Sequence, residues 1–317
     1  MAIKVGTFNL NNLFSRYNFQ AEVDSIKKAD ATVSETVRYE FTDDDMYRLR
    51  TFKGRLVKGK SKATREAIAA RIKKMNCDVL AVQEVENIDI LKTFNHDDLG
   101  RRYKHYVLVE GNDPRLIDVA VLSKLPIGAV TSWQQLPHPA VPSRPIFGRD
   151  LLQIDIWDKA RSTRLFTLFN THLKSHFGDD DNAGKGKKKN DLKRTREAEV
   201  VRDVLRAQMG EGAAYVVVGD MNDPPESPCL APFVDGLVNG LAHATETRPA
   251  KADHPDAPSP VWTHRYVRDG VAEHLLFDQI WLSPPLADRL GAAKIDRRTK
   301  HGGDGSDHDP AWIELDL

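Results

Sequence analysis

The sequence predicts an α/β fold in which two sheets pack together with helices on the outside. Three observations carry this reading. Short runs of strand formers outnumber helical segments, several runs come as close pairs joined by turn residues, and two segments with helical apolar spacing lie between strands.

The elements follow in order. Residues 3–8 are rich in strand formers and end in an Asn-rich turn. Residues 15–60 lack clear periodicity. They hold an acidic knot (Asp43, Asp44, Asp45) and then a basic stretch (Arg48, Arg50, Lys53, Arg55, Lys58, Lys60, with Lys62 just beyond). A connection that long is expected to be functional or mobile. Ile68, Ile72 and Met75 repeat at i, i+4, i+7 and mark an amphipathic helix. Residues 78–82 form a buried-strand candidate that delivers Gln83 and Glu84.

Residues 106–109 pair with 117–122, and 151–157 with 165–169. The hydrophilic stretch 175–190 reads as a flexible loop. A helix is expected over 191–209, with Ala198, Val201 and Leu205 on one face and Gly210 as its stop. Strands over 215–218, 275–282 and 311–315 complete the chain, and Pro-rich loops fill 223–260.

Lys and Arg total 46, as do Asp and Glu, so affinity for a polyanion must come from local patches. Two cysteines, Cys77 and Cys229, are too few for a disulfide scaffold or a Cys-rich zinc site. No run is long enough to span a membrane, and the N-terminus has no signal-peptide apolar region. The chain is therefore expected to be soluble, cytoplasmic and monomeric, or secreted if a leader precedes it.

Six polar motifs sit at the ends of apolar runs: 7–11 (TFNLN), 83–86 (QEVE), 170–174 (NTHLK), 219–223 (GDMND), 277–279 (FDQ) and 306–310 (SDHDP). Glu84 ends an apolar strand, where an ionised carboxylate needs a positive partner. A hard cation with oxygen ligands would serve, since Mg²⁺ usually takes one or two protein carboxylates and keeps several waters; an ordinary exposed strand-end Glu is the plain alternative. Asp278 shares an apolar strand face with Leu276, Ile280 and Leu282. It needs a partner, and His308 is the obvious one, with a structural salt bridge to an Arg as the alternative. Asp220 and Asn222 lie two apart after a strand; the acid can orient or deprotonate a water, and the amide can hold a phosphoryl oxygen. Asn9 and Asn11 repeat that spacing. His172 and Lys174 can contact a phosphate, and Asp307 can support a metal's water shell. No G-x-S-x-G elbow, P-loop or H-E-x-x-H is present, so direct attack by water on a phosphoester is favoured over a covalent intermediate.

In their order and spacing these motifs resemble the endonuclease/exonuclease/phosphatase superfamily, the deoxyribonuclease I-like hydrolases, from Val5 to Trp312. The resemblance implies a four-layered α/β/β/α sandwich of two mostly antiparallel sheets across 1–317, with 15–60 and 175–190 as insertions or loops. It implies Glu84 as metal ligand, with Asn9, Asn11 and Asp307 around the metal. Asp220 would activate water, Asn222 contact phosphate, Asp278 and His308 form a dyad, and His172 face the phosphate. Asn11 stands where some repair nucleases carry an aspartate, which points to one weakly held Mg²⁺ or Mn²⁺. Residues 118–123, His172–Ser175 and the helix bearing Arg194, Arg196 and Glu197 look most like bacterial predicted extracellular nucleases.

A nuclease acting on DNA or RNA is the leading expectation. The basic stretches 48–62 and 185–196 would track a phosphate backbone. Arg149, Arg144, Lys174 and Asp118 are candidate substrate contacts, and Tyr17, Trp262 and Tyr266 candidate base-stacking rings. Hydrolysis of a small phosphoester or a phospholipid headgroup is the alternative. A silent scaffold of the same fold is the third, opposed by the presence of Glu84, Asp220, Asn222, Asp278 and His308 together.

Overall fold

The computed structural model describes residues 2–14, 60–176, 185–247, 261–268, 271–298 and 304–317, with the side chains of 185, 186 and 266–268 left aside. The elements in chain order are β1 (Ala2–Leu13), α1 (Lys62–Met75), β2 (Val79–Val85), α2 (Ile88–Thr93) running into a π-helical turn (Phe94–Asp98), β3 (His105–Leu108), β4 (Asp118–Ser123), β5 (Ile127–Ser132), β6 (Pro137–His138), β7 (Val141–Pro145), β8 (Leu151–Trp157) and β9 (Arg164–His172). Then come α3 (Lys185–Gln208), β10 (Tyr215–Asp220), α4 (Ala231–Val234), β11 (Val238–Asn239), β12 (Thr245–Glu246), β13 (His264–Arg268), β14 (Val271–Leu275), β15 (Asp278–Leu282), α5 (Pro284–Ala287), β16 (Leu290–Ile295) and β17 (Ala311–Asp316).

One sheet runs β12-β16-β17-β1-β2-β4-β3 and the other β11-β15-β10-β9-β8-β5. Most pairings are antiparallel; β1–β2, β9–β10 and β12–β16 are parallel. Alternation along the strands builds the layers. Val5, Val79, Ala81 and Val121 of one sheet meet Ile154, Leu168, Val216 and Ile280 of the other. The opposite faces turn outward. Phe8, Leu80, Val82 and Leu122 pack on Ile68 and Ile72 of α1 and Leu91 of α2, while Phe169, Val217 and Trp281 pack on Ala198, Val201 and Leu205 of α3. Strands buried on both faces explain why 79–82 and 216–218 read as continuous apolar runs. The fold is the four-layered sandwich expected.

Several boundaries differ from the sequence reading. Helix α3 begins at Lys185, inside the stretch expected to be a loop, because exposed lysines lie comfortably on the solvent side of a helix. The strand expected over 275–282 is split. Leu275 ends the β13–β14 hairpin and Asp278 begins β15, yet Leu276, Ile280 and Leu282 do share the inter-sheet core. Most of the 15–60 segment, its acidic knot and Tyr17 lie outside the described residues, as do 177–184 and the side chain of Tyr266. Trp262 is fully buried, stacked under Arg297 at 3.8 Å, so it is no base platform.

Candidate active site

Strand register assembles the site. Asp220, the last residue of β10, lies opposite His172 on one side and Asp278 on the other. In the facing sheet Asn9 lies opposite Gln83. The β2–β4 register then slips between Gln83 and Val85, leaving Glu84 as the extra residue of a bulge. Glu84 is left-handed there (φ 61°), and so are Asn11 (46°) and Asn222 (52°). Bulges and left-handed non-glycine residues gather at working sites because they re-aim side chains. Gly219 is required for a different reason. At its φ of 141° a Cβ would fall 1.9 Å from the Thr171 carbonyl oxygen, so no other residue lets β9 and β10 approach just before Asp220.

A polar bridge ties the sheets together beneath the site. Asn170 on β9 accepts from Gln83 Nε2 (2.9 Å) and donates to the carbonyls of Ala120 (2.8 Å) and Val82 (3.3 Å). Thr7 donates to Gln83 Oε1 at 3.3 Å. All these side chains are buried.

Above it, Asn9 Nδ2 donates to Asp220 Oδ2 (2.9 Å) and reaches Glu84 Oε1 at 3.4 Å. The Asn222 N–H donates to the other Asp220 oxygen at 2.9 Å. His308 Nδ1 bonds Asp278 Oδ2 at 2.7 Å, and its Nε2 faces Asp220 Oδ2 at 3.9 Å. His172 Nε2 lies 3.5 Å from that same oxygen. Asn11 Nδ2 donates to Asp307 Oδ1 at 2.7 Å. Asn9, Asn11, Glu84, His172, Asp220, Asn222, Asp278, Asp307 and His308 therefore converge at one place, from both sheets.

The other expected contacts fare differently. Arg149 is buried, 3.3 Å from Asp113 Oδ2 and donating to the Leu173 carbonyl, close enough for Glu84 and His172 to feel its charge. Lys174 binds through its backbone, donating to Glu197 and accepting from Arg194. Asp118 is buried, with one oxygen taken by the Gly111 N–H, and burial lifts it to about 7. Arg144 is exposed in the small β6–β7 ribbon, and no described contact ties it to the site. Asn222 Nδ2 is spent on the Leu173 carbonyl (3.0 Å), which holds the His172–Lys174 turn in place.

Two residues the sequence reading passed over matter here. Thr263 Oγ1 accepts from the backbone N–H groups of Phe277 (3.1 Å) and Asp278 (2.9 Å), and its carbonyl accepts from Asp309 N–H (2.7 Å). His264 stacks on Phe277, with centroids 5.1 Å apart, and stands 4.7 Å from the His308 ring. The strand formers after the Pro-rich run were the available signal. Behind the His308 loop, Asp309 is gripped by Arg71 (2.8 Å) and Arg297 (3.1 Å).

The electrostatics separate the groups. Burial works against a charged His308, but the carboxylates of Asp278 and Asp220 outweigh it and lift the imidazole to about 10. Burial, helped by the charge of Arg149, keeps His172 neutral. Burial also raises Asp220; the charge of His308 offsets part of that, and the carboxylate of Asp278 adds to it. Glu84 is raised by burial too; His308 and Arg149 offset part of that, and Asp220 and Asp307 add to it. Asp307 goes the other way: burial opposes its ionisation, yet His264 and His308 hold it well below the usual carboxylate range.

The donors fit a hard divalent cation. Glu84 and Asp307 repel each other across the cluster, and a cation between carboxylates relieves that repulsion. Acid–histidine groups able to hold a metal occur at His264–Asp307–His308 and at Asp220–Asp278–His308. Asn9 and Asn11 turn their NH₂ groups toward the carboxylates of Asp220 and Asp307 and so help to organise the acids.

Solved structures share the fold. An AP endonuclease from Archaeoglobus fulgidus is 18% identical with a TM-score of 0.58, covering 99% of this chain and 100% of that one. A Neisseria 3′ phosphatase, NExo, bound to a product DNA hairpin is 16% identical at 0.57, with 99% and 100% covered. A mannosyl-6-phosphatase from Bacteroides thetaiotaomicron is 16% identical at 0.55, again with 99% and 100% covered. No curated protein sequence matches the chain. No described helix is long and apolar enough to cross a membrane. A family model described as the Endonuclease/Exonuclease/phosphatase family matches residues 6–308, and the chain belongs to that family of phosphoester hydrolases.

Proposed function

We propose that this protein is a divalent-metal-dependent phosphodiesterase that cleaves DNA or RNA, working as a monomer. The observation that carries the proposal is the Asp220 carboxylate, held by Asn9 and by the Asn222 N–H and faced by an imidazole whose other nitrogen is fixed by Asp278. Asp220 orients a water and takes its proton as the water oxygen bonds to phosphorus. The phosphorus–oxygen bond opposite then breaks. His308, kept cationic by Asp278, donates to a phosphoryl oxygen and stabilises the charge that builds there. His172, neutral and buried, borders Asp220 without adding charge, and Arg149 adds a fixed positive field from behind. Glu84 and Asp307 would hold Mg²⁺ or Mn²⁺, which when bound supplies Lewis-acid stabilisation of the phosphoryl and leaving oxygens. The likeness to a DNA-bound phosphatase–exonuclease and to an AP endonuclease supports a nucleic-acid substrate.

A small phosphoester is the second reading, favoured by the fold shared with a sugar phosphatase and by the zero net charge. Glu84→Gln tests the core of both. It should lower turnover by two or more orders of magnitude and raise the metal concentration needed. Near-normal turnover at unchanged metal demand would remove Glu84 from the metal site.

A further inference from the structure

A second cavity, of about 550 Å³, lies in the outer layer of the seven-stranded sheet, between the end of α2, its π-helical turn and edge strand β3. It is remote from the catalytic cluster. His105 at the start of β3 and Val79 at the start of β2 both pair with Ser123, whereas Glu84 sits five residues further along β2, roughly 17 Å at strand rise. Lys92, Arg101 and Lys104 line it, with Asp97 the only carboxylate. That acid is already engaged: Asp97 bonds His96 Nδ1 at 2.6 Å, and Arg101 contacts His96 Nε2. Arg101 therefore balances Asp97 through the imidazole, and the two exposed lysines are left to an incoming anion.

The backbone here is unusual in two independent ways. The turn after α2 is π-helical, closed by the Leu99 N–H on the Phe94 carbonyl. Gly100 and Arg101 are then consecutively left-handed, with φ 67° and 58°. An arginine in that conformation is strained, and π turns and such strain concentrate where a segment is shaped for a ligand. Tyr106 supplies a half-buried ring on the same wall. The volume lies within the range of small-molecule sites.

We propose that this cavity is a second binding site for a nucleotide, with its phosphate on Lys92 and Lys104 and its base against Tyr106. The site does not depend on the catalytic reading, and a free nucleotide and one within a strand offer it the same phosphate and base. The full chain is titrated with AMP, and with a 5′-phosphorylated trinucleotide, in chelator so that nothing turns over. Saturable AMP binding should weaken about tenfold or more in Lys92→Glu/Lys104→Glu. Binding should weaken in Arg101→Gly and stay unchanged in His308→Ala. Tighter binding of the trinucleotide assigns the site to a strand, and equal binding to a free nucleotide. No saturation by about 10 mM AMP, equal affinity in the double-lysine variant, or loss of binding in His308→Ala would overturn the proposal. Unchanged melting of Lys92→Glu/Lys104→Glu, whose substituted side chains are exposed, separates binding from folding.

Discussion

His308 owes its charge to its neighbours. Asp278 is the first of the groups that raise it to about 10, so the imidazolium should persist until strongly alkaline pH and activity should fall only as that proton leaves. Asp278→Asn removes the leading support, and the alkaline limb of the pH–rate profile should move down toward the ordinary imidazole range. An unmoved limb would separate the dyad from that ionisation. The same pairing makes the two residues one unit. Asp278→Ala and His308→Ala should each cost orders of magnitude, and the double variant little more than either; losses that multiply would show that they act apart. Asp278 was legible in the sequence because strand alternation puts an acid among Leu276, Ile280 and Leu282. Glu84 was legible as an acid after an apolar run, but the bulge that aims it was not, because a one-residue slip between strands leaves no mark in composition. Asn9 could be placed at the end of an apolar run, but its hydrogen bonds to Asp220 and Glu84 leave no mark in the sequence.

Elements position these residues through contacts that cross the two sheets. Asn170 is the clearest case. Replacing it with Ala would take from the buried Gln83 amide its acceptor and from the Val82 and Ala120 carbonyls their side-chain donor. A buried polar group that loses its partner costs about 1–3 kcal/mol, so Asn170→Ala should destabilise the protein by about 2–5 kcal/mol in urea unfolding. A loss below about 0.5 kcal/mol would mean water replaces the amide. Strand pairs and the face of α3 could be read from turn residues and apolar spacing. The start of α3 could not, because Lys187, Lys188 and Lys189 suit an exposed helical turn as well as a loop. The β13–β14 hairpin was missed for a related reason: His264, Arg265, Glu273 and His274 interrupt its strand formers. With it went Thr263 and His264, which brace both halves of the dyad.

Across the whole molecule, the acid–histidine cluster and the exposed lysines at 187–189 are borne by different elements. The chain carries no net charge, so a polynucleotide must find local cations, and the exposed lysines at 187–189 at the start of α3 are a described set of them. Reversing all three to Glu should weaken polynucleotide cleavage and flatten its salt dependence by up to three charges, while a small chromogenic phosphodiester is cleaved as before. Equal loss on both substrates would mean that this turn supports the fold. Three of the six motifs, 83–86, 170–174 and 219–223, end β2, β9 and β10, while 277–279 opens β15 and 306–310 leads into β17. The neighbours of a side chain are set only in three dimensions: residue type alone did not show that Arg144 is exposed on the β6–β7 ribbon or that Asp118 is buried.

The most direct test is cleavage of supercoiled plasmid, single-stranded DNA and RNA by the purified protein, with Mg²⁺, with Mn²⁺ and with chelator, beside a Glu84→Gln/His308→Ala control. Cleavage of at least one polynucleotide that needs the metal and is absent from the control is the predicted result. Intact polynucleotides under every metal condition, with a small phosphoester hydrolysed by the same preparation, would contradict the assignment as a nuclease.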